Sequence, residues 1–74
     1  MLRVTAGHYR DVFMHHAYDV FRDRTVDGPK IAVGWRYSIH GDREWSYKMY
    51  DTKSNAERAA RSIINERYKV TNDL

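Results

Sequence analysis

Ile31-Ala32-Val33-Gly34-Trp35-Arg36-Tyr37-Ser38-Ile39 and, after a short gap, Trp45-Ser46-Tyr47-Lys48-Met49 form the stretch that decides the fold. Large, mostly apolar residues hold the odd positions Ile31, Val33, Trp35, Tyr37, Ile39, Trp45, Tyr47 and Met49, and polar residues hold Arg36, Ser38, His40, Glu44, Ser46 and Lys48. Alternation of period two is the mark of half-buried strands, so two antiparallel strands are expected here. Paired residues must share a face, which sets Ile39 against Trp45, Tyr37 against Tyr47 and Trp35 against Met49. The loop then holds an odd number of residues, Gly41, Asp42 and Arg43, or contains a bulge. On the outer face this register sets Arg36 opposite Lys48 and Ser38 opposite Ser46.

Working outward, Ser54-Asn55-Ala56-Glu57 has the S-x-x-E form of a capping box, in which hydroxyl and carboxylate each satisfy a free amide at a helix start. The spacing predicts a helix from about Asn55 to Tyr68 with Ala56, Ala59, Ala60, Ile63, Ile64 and Tyr68 facing the hairpin. On the other side, Asp27-Gly28-Pro29 marks a break. Before it, Tyr9, Val12, Phe13, His16, Ala17, Val20 and Phe21 fall at the spacing of one helical face and predict a helix from about His8 to Arg22. Composition argues against it, because Tyr, His, Val, Phe and Asp are middling or poor helix formers, so strand stays open as the alternative. The expected fold is one α+β domain over residues 1–74: helix, antiparallel β-hairpin, then a C-terminal helix packed on the sheet. A third short strand at Leu2 to Val4 is a further option. Trp35, Tyr37, Tyr47, Met49, Ile63 and Ile64 are the expected core.

The chain has 74 residues, room for one small core and little spare apolar surface for a substrate pocket. It has no cysteine, which removes disulfides and Cys-based zinc sites as sources of stability. With 13 basic and 10 acidic residues it carries a net charge of +3, which favours anionic partners. That charge is uneven. Up to Pro29, Arg3, Arg10, Arg22 and Arg24 balance Asp11, Asp19, Asp23 and Asp27, so all the excess lies in the later segment. No apolar run approaches a membrane span and no signal-peptide core follows Met1, so a cytoplasmic protein is expected.

Catalytic and metal chemistry find little footing. On the expected helix His15 and His16 project about 100° apart, which keeps them from sharing an ion. His16 then falls on the core side, with His8, His15 and His40 at the surface. No H-E-x-x-H, nucleophile elbow or Gly-rich phosphate loop is present, so neither an enzyme nor a cofactor or metal site is expected. Two binding surfaces are. The neutral first segment offers His8, Tyr9, Arg10, Phe13 and Met14, residue types favoured at protein interfaces, as a contact for a host protein. The basic later segment offers Arg36, Arg43, Lys48, Tyr50, Arg58 and Arg61 for DNA or RNA, with Tyr50 as a stacking ring.

From Asp27 to Ile64 the order Gly28-Pro29, a strand from Ile31, a hairpin, then Thr52-Lys53-Ser54-Asn55-Ala56-Glu57-Arg58-Ala59-Ala60 resembles the second half of a double-stranded-RNA-binding domain. That resemblance implies an α-β-β-β-α fold. The same segment is similar to the sheet-plus-helix arm-binding domains of phage integrases. In size and style the whole chain resembles small phage-encoded regulators of host RNA polymerase, which implies a non-enzymatic binding protein. The resulting expectation is a regulator that docks on a host machine, RNA polymerase above all, in the host cytoplasm. Direct DNA or RNA binding by the outer hairpin face is the alternative.

Overall fold

The computed structural model describes residues 1–42, 46 and 48–69. Among these residues it shows an α+β domain of four strands and one helix: β1 (Leu2–Thr5), β2 (His8–Phe13), β3 (His16–Asp27), β4 (Lys30–Ile39) and α1 (Lys53–Tyr68). The strands form one antiparallel meander in the order β1-β2-β3-β4.

The helix expected over residues 8–22 is instead the β2–β3 hairpin. Its turn is Met14-His15, both residues in the left-handed region at φ 51° and 66°, between the paired Phe13 and His16. Two positive φ values are what a two-residue type I′ turn requires, and its twist suits the strands it joins. The misleading periodicity has a simple origin. Tyr9 and Phe13 face the helix from β2, whereas His16 and Val20 face it from β3, because a two-residue turn switches the inward parity from odd to even. The positions 9, 13, 16 and 20 then mimic i, i+4, i+7 and i+11. The residue types, aromatic and β-branched, favour the strand.

β4 pairs along its whole length with β3, from Asp27↔Lys30 to Tyr18↔Ile39. Gly28, at φ 60° in the first central position of that tight turn, supplies the conformation of a type II′ turn. The expected partner strand at residues 45–49 is not formed as a strand by its described members, and Trp45 and Tyr47 lie outside the described residues. Among the described residues two contacts join this stretch to the far edge of β4: the Ser46 amide donates to the Tyr37 carbonyl at 3.2 Å, and Trp35↔Tyr50 form a bridge with both backbone hydrogen bonds at 2.7 Å. Tyr50 takes the place expected for Met49, so Met49 turns to the opposite side, over Gly34. A Cβ at Gly34 would lie 2.9 Å from the Tyr50 carbonyl oxygen, so only glycine admits this approach.

α1 starts one turn fragment earlier than the capping box suggests. The Thr52 hydroxyl, not that of Ser54, accepts from the Asn55 amide, and Glu57 pairs with Lys53. The helix lays Ala56, Ala60 and Ile64 on Tyr18, Val20 and Ile39, and among the described residues these six are the buried apolar core. Trp35, Tyr37 and Ile63, expected at the centre, pack around it half-buried. Small alanines let the helix approach closely enough to bury the tyrosine ring. The opposite side of the sheet has no helix on it among the described residues.

Candidate nucleic-acid interface

Strand alternation sorts the side chains of the sheet into two sets. Tyr9, Asp11, Phe13, Tyr18, Val20, Tyr37 and Ile39 share the helix side; His8, Arg10, Asp19, Phe21, Arg36 and Ser38 share the open side. The residues expected to form one protein-docking patch are therefore divided. His8 and Arg10 lie on the open side, Tyr9 and Phe13 pack against the core, and Met14 sits in the turn.

The open side is organised around Asp19. His8 Nε2 lies 2.7 Å and His40 Nε2 2.9 Å from its two carboxylate oxygens, and Arg10 donates through Nε at 2.8 Å and Nη2 at 3.2 Å. Asp19 is only 8% exposed. Burial pushes its carboxyl up, but the hydrogen bonds from Arg10, His8 and His40 more than offset this and hold it well below the usual carboxylate range. Arg36 is similarly engaged: Nε is 3.0 Å from Asp23 Oδ2 and Nη1 donates to the Ser46 carbonyl at 2.9 Å. It faces Phe21 across the β3–β4 ladder, and at the other edge the Trp35↔Tyr50 bridge shifts Lys48 out of the register that would oppose it. The outer face expected to be a basic hairpin surface is thus neutralised by its own carboxylates. A depression of about 490 Å³ lies beside it, lined in part by Thr5, Gly7, His8, Phe21 and Ser38. Among the described residues no three His, Cys, Asp or Glu side chains are placed to hold a metal ion.

Arg61, on α1, is engaged as well. It donates to the Tyr18 hydroxyl at 3.0 Å and to Asp11 at 3.2 Å, and its guanidinium lies 5.7 Å from the Phe13 ring centre. Burial pushes the Tyr18 phenol up, with the Arg61 hydrogen bond opposing.

Lys48, Tyr50 and Arg58 stand apart. They line one shallow groove of about 330 Å³ between the segment after β4 and α1, together with Asn55, Ala59 and Ser62. No carboxylate is among its described lining residues, and neither Lys48 nor Arg58 has an acidic partner among the described residues. The Lys48 ammonium lies 5.2 Å from the Tyr50 ring centre, which keeps charge and aromatic surface together. Tyr50 is fixed by its two bonds to Trp35, and Asn55, Arg58 and Ser62 are fixed by the helix. Of the six expected nucleic-acid contacts, three therefore converge, Arg36 and Arg61 are bound to acids on other surfaces, and Arg43 lies outside the described residues.

No protein-family model, curated protein or solved structure matches the chain. No helix among the described residues is long and apolar enough to cross a membrane.

Proposed function

We propose that the chain is a non-enzymatic nucleic-acid-binding module. One observation carries the reading: Lys48 and Arg58, without acidic partners among the described residues, share a groove with the Tyr50 ring and the polar side chains of Asn55 and Ser62. Two cations lining one groove can each meet a phosphate, and a half-buried tyrosine offers a face to a base or sugar. Salt dependence tests it. Fluorescence anisotropy with labelled single-stranded and duplex DNA and RNA should show binding that weakens steeply with added salt. Lys48→Ala and Arg58→Ala should each reduce the slope by roughly one. No binding at about 50 mM salt, or slopes untouched by both changes, would overturn the reading.

A second reading, docking on a host protein such as RNA polymerase, draws on a different surface. β1 is a four-residue edge strand with Leu2 66% and Val4 41% exposed, and an edge of this kind accepts a strand from a partner. Capture of such a protein that survives nuclease treatment favours docking; capture that nuclease abolishes returns to the nucleic-acid reading.

A further inference from the structure

β2 accompanies β3 only as far as Phe21, and the helix-bearing core ends near Val20 and Trp35. Beyond that point the β3–β4 ladder continues alone to Asp27↔Lys30. The result is a two-stranded arm about 20 Å long at ~3.4 Å per residue, and the molecule measures 56 Å along its longest axis against 24 and 20 Å.

The two sides of this arm differ in charge and polarity. Register puts Arg22, Arg24, Val26, Ile31 and Val33 on the helix side, and Asp23, Thr25, Asp27, Lys30 and Ala32 on the other. The helix side thus carries two arginines and three β-branched apolar residues and no carboxylate. Both arm carboxylates are on the opposite side, where Met49 also packs, over Gly34 and against Thr25. Val26, Ile31 and Val33 are 68%, 62% and 58% exposed, although alternation in the body buries their counterparts. Neither Arg22 nor Arg24 has an acidic partner among the described residues. Arg22 lies over the Trp35 ring, 6.0 Å from its centre, at the root of the arm.

We propose that this arm enters the major groove of double-stranded DNA with its helix side toward the bases, an inference that rests on the nucleic-acid reading and names its ligand. The dimensions fit: the groove is about 12 Å wide and admits a two-stranded ribbon, whose strands are ~4.8 Å apart. The chemistry fits also. A guanidinium donates to the two acceptors of guanine, and the methyls of Val26, Ile31 and Val33 contact thymine methyls. The acidic side of the arm faces out of the groove, away from the bases, and carries Lys30 beside its two carboxylates. Lys48 and Arg58 then serve as backbone contacts, which position without reading sequence, while Arg24 on the arm reads it.

Selection from a duplex library with a random core tests this with the full chain. The wild type should enrich a defined sequence, and dimethyl sulfate should find guanine N7 protected within it. Arg24→Ala should lose that protection and weaken the selected site by roughly 10-fold or more, with little change on unselected duplex. Arg58→Ala should weaken selected and unselected duplexes alike and keep the protection at saturation. Far-ultraviolet circular dichroism and thermal midpoints should match the wild type in both. The arm assignment is overturned by enrichment that Arg24→Ala leaves intact, or by single strands binding as tightly as the best duplex, even when Lys48 and Arg58 prove essential. It is equally overturned by binding to anionic phosphatidylglycerol vesicles but not to duplex, or by self-association that Ile31→Ser abolishes without loss of DNA binding. No nucleic-acid binding of any kind defeats both readings at once.

Discussion

The β3–β4 ladder runs through two environments. From Tyr18 to Val20, and at Ile39 opposite, the helix side of the ladder is under α1 and fully buried; from Arg24 to Val33 the same side is bare. The alternation of residues is continuous across both. Period two therefore reports that a strand has an apolar side, and a separate element decides whether that side becomes core or contact surface. The two parts also handle charge differently. The body pairs its carboxylates with cations, as Asp19 does with Arg10 and Asp11 with Arg61, whereas on the arm the helix-side arginines carry no such partner among the described residues.

The largest effect should come from cutting the covered part. Ile64→Ala removes a fully buried side chain and should cost about 3 kcal/mol, a large share of the stability of so small a domain. Ile31→Ala on the arm should change stability by less than about 0.5 kcal/mol. Urea titration of the two variants checks the contrast, and equal losses would show that the arm belongs to the cooperative body.

Asp19→Asn comes next, at on the order of 2 kcal/mol near neutral pH, since it leaves Arg10 facing a neutral amide at a nearly buried site. Its sign with pH is fixed by the depressed carboxyl. The contribution is complete above the unfolded value of about 4 and fades as pH falls below it toward the lower folded value. Wild type and Asp19→Asn should thus converge in acid, as thermal midpoints across the range from neutral pH to pH 2 would reveal.

Gly34→Ala probes the boundary between body and arm. The added methyl meets the Tyr50 carbonyl and Met49, and the cost should be about 1–2 kcal/mol, with faster amide exchange at Tyr50. His15→Gly should act in the opposite sense and least. Relieving one left-handed non-glycine residue in an exposed turn should stabilise by roughly 0.5–1 kcal/mol, seen as a small rise in thermal midpoint.

Ile31 to Ile39 was legible as strand because its alternation is unbroken, and α1 because its alanine and isoleucine stripe has one period throughout. The β2–β3 hairpin was not, since Met14-His15 lacks the Asn-Gly or Gly signal of such turns and its parity switch imitates a helix. The strand expected around Trp45 had the right pattern, but its described residues reach the far edge of β4 only at Ser46, whose amide donates to the Tyr37 carbonyl, and at Tyr50, which bridges Trp35, and these two contacts do not share one antiparallel register. At the site, Lys48, Tyr50 and Arg58 could be named from charge and residue type. That Arg36 and Arg61 are neutralised could not, because their partners Asp23 and Asp11 come near only through the register of strands and the docking of a distant helix. The convergence of His8, Arg10 and His40 on Asp19 was hidden for the same reason: once β2 and β3 are paired, Arg10 faces Asp19 directly.

The helix that covers the body follows all four strands in the chain, and this sets an order in time. During synthesis β1 to β4 are complete once Ile39 has been added, but Ile64 follows about 25 residues later, a delay of roughly 1–5 s at ordinary rates of translation. For that interval Tyr18, Val20 and Ile39 have no cover. A chain cut short before Lys53 should therefore leave these three side chains bare on the sheet, a surface for chaperones or for aggregation.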